Sequence, residues 1–279
     1  MPFPRPFPRP FPRLLPRLFP RLLPRLVPSL GALFVGILCL SAFTLPSRAG
    51  EFSAAQKSEI ESIVHSYLLE HPEILREVAT ELEKKQQEEE TDLHRRAIEK
   101  YKDALFNSPF NAVAGNPSGK VTLVEFFDYN CGYCKKALLD LNNLIKTEPD
   151  LRVVLADFPV LGPDSVEAAR VAAAVRKQVS GAKFFEFHQK LLSSRGHVGK
   201  DQALAVAKDM GLDMARIQKD MTDASVHDGL AENIKLGDAL GLSGTPAYVI
   251  GGEAIVGAVG YDELKSRIDS MARCGKTSC

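Results

Sequence analysis

The stretch Val121-Thr122-Leu123-Val124-Glu125-Phe126-Phe127-Asp128-Tyr129-Asn130-Cys131-Gly132-Tyr133-Cys134 decides the fold. It begins as an apolar, β-prone run and ends in a Cys-x-x-Cys motif. A helical pattern follows at once, with apolar residues spaced three and four apart from Ala137 to Ile145. The sequence therefore predicts a strand over about 121–127 and a helix over about 131–147, with the two cysteines where the helix begins.

The position of the two cysteines has a chemical consequence. The first turn of a helix carries unpaired N–H groups and a partial positive charge. That charge favours a thiolate over a thiol, and the thiolate is the nucleophile in disulfide exchange. The sequence therefore predicts that Cys131 attacks a substrate sulfur and that Cys134 resolves the mixed disulfide.

The order of the remaining elements predicts the fold class. A second strand over 151–160 follows the helix, and a strand, a crossover helix and a strand form a parallel pair. A helical insertion over about 164–242 comes next. Two strands joined by a Gly251-Gly252 turn and a last helix from Tyr261 complete the chain. We therefore expect an α/β chain with a thioredoxin fold and a helical insertion.

A second chemical feature, Gly244-Thr245-Pro246, opens the strand predicted over 247–250. In a thioredoxin fold, this strand lies beside the Cys-x-x-Cys motif. A cis Thr245-Pro246 bond would bring the Thr245 backbone close to the sulfurs, although only about 5–6% of X-Pro bonds are cis. A substrate peptide could then pair with that backbone as an added strand.

The formal net charge of zero hides an uneven distribution. Residues 1–49 carry seven arginines and no acid, so the rest of the chain has 28 Lys and Arg against 35 Asp and Glu. Nucleic-acid binding requires a basic surface, and a mildly acidic body argues against it.

Residues 1–49 have the features of a signal peptide with a proline- and arginine-rich start. An apolar run from Leu30 to Leu45 follows the arginines, and Ser47-Arg48-Ala49 predicts cleavage near Ala49. The alternative is an uncleaved anchor, although a membrane span needs roughly 20 residues. The Pro-Phe-Pro-Arg repeats before Pro28 are either low-complexity sequence or a functional extension. Export places the mature chain where disulfides form and persist.

Residues 50–106 are predicted to form a separate helical segment. Apolar residues recur at helical spacing on both sides of Pro72, and a helix unbroken from Pro72 to Leu105 would be about 50 Å long. A single long helix has too little surface within its own segment to bury its apolar stripe. Contact with another chain is therefore favoured over a solvated helix packed on the main domain. Residues 107–120 contain Pro and Gly turns and are interpreted as a linker at the start of the domain over 107–279.

The motifs together resemble a known family. Residues 123–134, with Gly244-Thr245-Pro246 and the helical insertion, are similar to the DsbA-like thiol–disulfide oxidoreductases of the bacterial periplasm. Residues 67–75 resemble the ScsC-like (suppressor of copper sensitivity) subgroup, some members of which oligomerise through N-terminal helices. The Gly132-Tyr133 pair departs from the Pro-His of the strong oxidase and is similar to the dimeric periplasmic disulfide isomerase.

The resemblance implies roles for individual residues. Cys131 would be the exposed nucleophile, Cys134 the resolving thiol and Glu125 a buried proton-transfer residue. The substrate would contact the pair between the cysteines and the proline loop, namely Gly132, Tyr133, Thr245 and Pro246. No cofactor is implied beyond the redox-active cysteine pair.

These observations predict a periplasmic, homo-oligomeric disulfide isomerase or reductase that acts on unfolded or misoxidised proteins. A membrane-bound thiol–disulfide donor, DsbD-like or ScsB-like, would keep it reduced. Tyr133 supplies no cation to a thiolate, which favours an isomerase over a strong oxidant. The first alternative is a dithiol oxidase that introduces disulfides.

The second alternative is a copper-binding protein, because thiolates favour Cu(I) and the mature chain has Cys131, Cys134, Cys274 and Cys279. Zinc fits less well, because four residues separate the second pair and no His pair accompanies either pair. A local Cys274–Cys279 disulfide at the chain end is preferred in an oxidising compartment. We therefore predict no metal site.

Overall fold

The computed structural model describes residues 52–279, so the predicted signal peptide lies outside the described residues. Ten helices and five strands occur in the described part. The helices are α1 (Ala54–Glu70), α2 (Glu73–Lys100), α3 (Lys102–Asn107), α4 (Gly132–Thr147), α5 (Pro163–Arg176), α6 (Gly181–Leu192), α7 (Lys200–Asp209), α8 (Met214–Asp220), α9 (Ala224–Ala239) and α10 (Tyr261–Cys274). The strands are β1 (Ala112–Gly115), β2 (Val121–Phe127), β3 (Leu151–Asp157), β4 (Ala247–Ile250) and β5 (Glu253–Val256).

One mixed sheet organises these elements, with the strand order β1-β3-β2-β4-β5. β2 and β3 are parallel, and Phe127 at the end of β2 lies opposite Asp157. β4 is antiparallel to β2, while β1 and β5 are antiparallel edge strands. Helices α5 to α9 stand between β3 and β4 in the chain. The prediction of an α/β thioredoxin fold with a helical insertion is confirmed.

The central strands are covered on both faces, which explains their nearly continuous apolar runs. On one face, Leu123 and Phe127 belong to a core cluster that includes Leu141 of α4. On the other face, Phe126 belongs to a second cluster that includes Leu236 of α9. β2 is therefore held between helices on both sides, and the end of this strand carries the Cys-x-x-Cys motif on a rigid support.

The interpretation of residues 107–120 as a linker is wrong over Ala112–Gly115, which form β1. β1 pairs with β3, and Ala112 and Ala114 are buried. A four-residue strand of small side chains lacks the β-branched alternation that predicts a strand. Gly115 ends β1 with a φ of 70°, and a Cβ there would lie 2.6 Å from the Leu151 carbonyl oxygen. Glycine at this position is needed for the strand to approach β3 closely.

The expected unbroken helix from Pro72 to Leu105 is interrupted, because α2 ends at Lys100 and α3 begins at Lys102. Tyr101 adopts a non-helical conformation between them, with φ of −110° and ψ of 19°. Periodicity survives across such a break, because α2 and α3 both present apolar residues to the same cluster. The sequence pattern therefore did not reveal the break at Tyr101.

The chain divides into two compact units at Ile63 and Val64. In the first unit, Ile60 and Ile63 of α1 are exposed. In the second unit, the N-terminal part of α2 has exposed apolar side chains, whereas its C-terminal part is buried. Ile98 of α2 and Leu105 of α3 belong to the core cluster beneath the sheet. The end of the predicted 50–106 segment is thus packed into the core of the thioredoxin fold.

Among residues 52–279, no helix is both long enough and apolar enough to cross a membrane. The apolar run from Leu30 to Leu45 lies outside the described residues.

Gly237 of α9 allows the helix to approach the sheet, and replacing it is expected to destabilise the protein. A Cβ at this position would lie 2.3 Å from Cε2 of Phe158. We expect Gly237→Ala to lower the free energy of unfolding by about 1–3 kcal/mol, the usual cost of overpacking a core. Urea denaturation measures this. Asp238→Ala, on the exposed side of the same helix, is the control, and an equal effect of both substitutions would contradict the steric explanation.

Candidate active site

Cys131 occupies the N-cap of α4, directly before the first helical residue. Its backbone is extended, with φ of −73° and ψ of 117°. The Asp128 carbonyl oxygen accepts a hydrogen bond from the Cys131 N–H at 3.0 Å, and the Cys131 carbonyl accepts one from the Lys135 N–H at 3.1 Å. The Cys131 sulfur therefore lies at the positive end of α4, as the sequence predicts.

Both motif cysteines are free thiols, and they differ in access to solvent. Cys134 lies one turn into α4 and is completely buried, whereas Cys131 is 6% exposed. The resemblance implied an exposed nucleophile, and the structure instead leaves only an edge of Cys131 accessible. The proline loop is in contact with the sulfur and explains this limited exposure.

The proline loop and the motif meet because β4 pairs with β2. Ala247, directly after Pro246, lies opposite Phe126. The Thr245–Pro246 peptide bond is cis. The Cys131 thiol donates a hydrogen bond to the Thr245 carbonyl oxygen at 3.0 Å. The structure thus brings Cys131, Thr245 and Pro246 together from positions more than a hundred residues apart in the chain.

Glu125 is a buried acid on β2 behind the motif. It is 1% exposed, and its Oε2 atom has no hydrogen-bond partner among the described residues. Burial raises the pKa of Glu125 from 4.5 to about 8, so that a neutral carboxyl group persists near neutral pH. Burial, and then the charge of Glu125, also raise the pKa of Cys134 well above its ordinary value. If Cys134 and Glu125 share one proton, the two buried groups are never negatively charged at the same time.

The two residues between the cysteines face outward. Tyr133 is 64% exposed, and a Cβ added at Gly132 would meet no atom within 4 Å. The Lys136 ammonium lies 5.4 Å from the centre of the Tyr133 ring. Lys135 donates instead to the carbonyl oxygens of Ser194 and Gly196, at 3.0 and 3.3 Å. The surface beside Cys131 is therefore open to a substrate, and both lysines after the motif point to other partners.

Sequence reasoning missed the residues that hold the motif against the helical insertion. Asn130 donates to the Ser165 hydroxyl at 3.0 Å and to the Val198 carbonyl at 2.8 Å, and it accepts from the Val198 N–H at 2.7 Å. Asp128 accepts from Ser165 at 2.7 Å and from the Leu161 N–H at 3.0 Å. Polar residues directly after a buried strand were the available signal, but their partners lie dozens of residues away.

Removing the Asn130 side chain is expected to destabilise the protein. Asn130→Ala would leave the buried Ser165 and the Val198 N–H without these partners, at a cost of about 1–3 kcal/mol in the free energy of unfolding. Chemical denaturation measures the change. Lys146→Ala, at an exposed position of α4, is the control and should change stability by less than about 0.5 kcal/mol. An Asn130→Ala protein as stable as the parent would show that these hydrogen bonds make no net contribution to the free energy of unfolding.

His188 lies in an aromatic cluster behind the motif. Its ring centre is 4.6 Å from that of Phe127 and 5.9 Å from that of Phe185. Tyr129 and His188 share a long hydrogen bond of 3.5 Å. Complete burial lowers the pKa of His188 to about 3, so the imidazole is neutral. His188 therefore has a packing role.

The second cysteine pair is joined, with a distance of 2.06 Å between the sulfurs of Cys274 and Cys279. This pair is not brought beside Cys131 and Cys134. In residues 52–279, no group of three or more His, Cys, Asp and Glu side chains is placed to hold a metal ion.

Comparison with known families identifies two regions of the chain. The model of the DSBA-like thioredoxin domain matches residues 122–269. The model of the copper resistance protein ScsC N-terminal domain matches residues 56–89.

The curated relatives are Na(+)/H(+) antiporters. The chain is 29% identical over 160 residues to NhaA 1 of Salinispora arenicola, which is 57% of this chain and 24% of that protein. The chain thus spans about a quarter of the length of these relatives.

Solved structures cover more of the chain. A thioredoxin-like oxidoreductase from Silicibacter pomeroyi is 37% identical, with a TM-score of 0.58, and the match covers 62% of this chain and 98% of that one. Proteus mirabilis ScsC in a transitional conformation is 30% identical over 80% of this chain and 97% of that one, with a TM-score of 0.59.

A periplasmic thioredoxin-like protein from Salmonella enterica serovar Typhimurium is 31% identical, with a TM-score of 0.53 and coverage of 61% of this chain and 94% of that one. The two family matches follow one another in the chain, in the order of helical segment and thioredoxin fold. This chain therefore belongs to the family of the DSBA-like thioredoxin domain and, with its ScsC N-terminal domain, to the ScsC-like subgroup.

Proposed function

We propose that this protein is a periplasmic thiol–disulfide oxidoreductase that isomerises or reduces wrongly formed disulfides in other proteins. The observation that carries the proposal is the arrangement of Cys131. Its free thiol lies at the N-cap of α4, against the Thr245 carbonyl, with Cys134 one turn behind it. This is the geometry of a thiolate nucleophile with a resolving thiol.

The proposed reaction begins when the Cys131 thiolate attacks a substrate disulfide. A bond forms between Cys131 and one substrate sulfur, and the other substrate sulfur leaves as a thiol. That thiol can attack a different disulfide of the substrate and so release another substrate thiol. The released thiol then attacks the substrate sulfur of the mixed disulfide, which forms a new substrate disulfide and returns the Cys131 thiolate. Alternatively, Cys134 attacks the Cys131 sulfur, which releases a reduced substrate and leaves a Cys131–Cys134 disulfide. Glu125 would accept the Cys134 proton in that second route.

The substrate would bind beside the proline loop. The Thr245 carbonyl faces Cys131, and the open surface at Gly132 and Tyr133 leaves room for an extended peptide. A peptide that pairs with the loop backbone as an added strand would place its disulfide over Cys131. Recognition through backbone groups suits an enzyme that must act on many unfolded sequences.

Two features favour isomerisation over oxidation. First, Tyr133 provides no positive charge for the thiolate, and Lys135 and Lys136 have other partners. Second, α1 and the start of α2 expose apolar side chains that suit contact between copies of the chain, namely Ile60, Ile63, Val64, Tyr67, Leu69, Leu75, Val78 and Leu82. An oligomer would hold one substrate near several active sites, which raises the effective concentration of thiolate.

The location and redox partner follow from the same proposal. The predicted signal peptide and the periplasmic relative from Salmonella support export to the periplasm. An isomerase must be kept reduced in an oxidising compartment. A membrane-bound thiol–disulfide donor, DsbD-like or ScsB-like, would therefore reduce the Cys131–Cys134 disulfide.

The test is reactivation of a scrambled disulfide protein by the reduced mature chain, without an external oxidant. A shorter chain that lacks residues 52–89 is run beside it, because this deletion keeps the buried Ile98 and Leu105. Reactivation by the full chain supports the isomerase, and its loss in the shorter chain assigns the helices to assembly. No reactivation, together with rapid oxidation of substrate thiols by the oxidised protein, would replace the isomerase with a dithiol oxidase.

A further inference from the structure

The Cys274–Cys279 disulfide has the features of a reactive bond rather than a structural link. Both cysteines are exposed. The bond joins the last residue of α10 to a residue five positions further on, so among residues 52–279 it ties no helix or strand to another element. Structural disulfides usually resist reduction, whereas exposed ones are the labile, regulatory or catalytic ones. The proposed function does not use this pair.

The pair lies at the opposite end of the sheet from the active site. A Cβ at Gly251 would lie 3.5 Å from Cγ2 of Thr277, so the disulfide loop packs on the turn after β4. Ile250 before this turn lies opposite Leu123, near the start of β2. Cys131 follows the other end of β2, roughly 13 Å or more away at 3.3 Å per residue. The Cys131 of the same chain therefore cannot reach the pair, and an attacking thiolate must come from another molecule.

The surroundings of the pair suit a leaving thiolate. A cleft of about 730 Å³ runs beside it, and its lining includes Arg273, Lys276, Cys279 and His94. Arg267 of the same cleft is already paired with Glu253 at 3.0 Å. Arg273 and Lys276 are exposed basic residues that flank Cys274 in the chain. Positive charge beside a cysteine favours its thiolate, and a stabilised thiolate leaves faster.

We infer that the Cys274–Cys279 disulfide is a second exchange site, which accepts electrons from the reduced Cys131–Cys134 pair of another copy of this chain. The inference rests on the proposed function, because it uses Cys131 as the nucleophile. Its partner is the Cys-x-x-Cys dithiol of a second copy.

The exchange balances without any further reactant. The Cys131 thiolate of one copy attacks Cys274 of the other, the bond between Cys274 and Cys279 breaks, and Cys279 leaves as a thiolate that takes up a proton. Cys134 then attacks Cys131, and Cys274 leaves as a thiol. Two electrons and two protons have moved from the Cys131–Cys134 dithiol to the Cys274–Cys279 pair.

Attack on Cys274 rather than Cys279 follows from their positions. Cys274 ends α10 and is held by the helix, whereas Cys279 lies five positions beyond it, outside any helix or strand. The same steps run in reverse, so a reduced tail on one copy can return electrons to an oxidised active site on another. The tail would thus pass electrons between copies.

The test uses two forms of the full mature chain. The donor carries Cys274→Ser and Cys279→Ser and is reduced at Cys131 and Cys134. The acceptor is isotope-labelled, carries Cys131→Ser and Cys134→Ser and keeps its tail disulfide. After mixing and an acid quench, alkylation and mass spectrometry count the new thiols on the acceptor. A small peptide disulfide serves as a parallel substrate, and a small monothiol at equal concentration serves as the reference reductant.

We expect the donor to reduce the acceptor tail at least tenfold faster than the monothiol does, at a rate that rises with the concentration of both forms. A donor that also carries Cys131→Ser should produce no such reduction. If the donor reduces the peptide disulfide but reduces the acceptor tail no faster than the monothiol does, the inference is wrong and the proposed function stands. Reduction of neither substrate would overturn the proposed function, and the inference with it.

Discussion

Replacing Cys134 by serine is expected to leave the protein joined to its substrates as mixed disulfides. Cys131 could still attack, but the resolving thiol one turn into α4 would be missing. We expect reductive turnover to fall by about 10³-fold or more, as when a member of a catalytic group is removed. Non-reducing electrophoresis after an acid quench should show the covalent adduct, and peptide mapping should place it on Cys131.

The matched control for this experiment is Cys131→Ser, which removes the nucleophile and should give no adduct. The two cysteines are expected to differ because Cys131 has an accessible edge, whereas Cys134 is completely buried. An adduct that forms on Cys134 in the Cys131→Ser protein would show that the roles of the two cysteines are reversed.

Replacing Glu125 by glutamine is expected to slow resolution and to change its pH dependence. The neutral amide keeps the size of the side chain but cannot take a proton from Cys134. We expect a loss of about 10²-fold in the reductive rate, within the usual range of general acid–base catalysis. In the parent, the rate should rise with pH as Glu125 ionises near pH 8. In Glu125→Gln that rise should disappear, which rapid-mixing measurements from pH 6 to pH 9 would detect.

Although Glu125→Gln should slow the reaction, it should make the folded protein more stable at neutral pH. The pKa of Glu125 is raised from 4.5 to about 8 in the folded protein, so between these values the unfolded chain releases a proton that the folded chain retains. Stability is therefore lost as the pH rises from 4.5 to about 8, and by pH 7 the loss is at most about 3 kcal/mol. Glu125→Gln removes this penalty.

We expect Glu125→Gln to raise the free energy of unfolding by about 1–3 kcal/mol at pH 7 relative to its effect at pH 4. Urea denaturation at the two pH values measures this difference. Glu99→Gln, on the exposed side of α2, is the control for the charge change. A Glu125→Gln protein with equal effects at both pH values would show that the carboxyl group is not held neutral by burial.

The elements near the active site could be predicted from local patterns. β2 and β4 begin and end where their apolar runs predict, and α4 begins where the Cys-x-x-Cys motif predicts. Each of these signals lies within a window of some ten residues, and chain order then determines the parallel pairing of β2 and β3. The fold class and the family were therefore accessible before any coordinates.

Contacts between distant residues were decided only by the tertiary structure. β1 is recognisable as a strand because it pairs with β3, and its own four residues carry almost no signal. Asn130 reaches Val198 across 68 positions of the chain, and no local pattern predicts that pair. The limited exposure of Cys131 likewise depends on the Thr245 carbonyl, which is 114 positions away.

The cysteines show the same division. The sequence by itself determined that Cys131 and Cys134 share one helical turn, because their spacing is local. Only the tertiary structure decided that the Cys274–Cys279 loop packs on the turn after β4, at the far end of β2 from Cys131. The physical reason is that residues three positions apart in a helix are always close in space. The place of the Cys274–Cys279 loop depends instead on how α10 packs against the sheet.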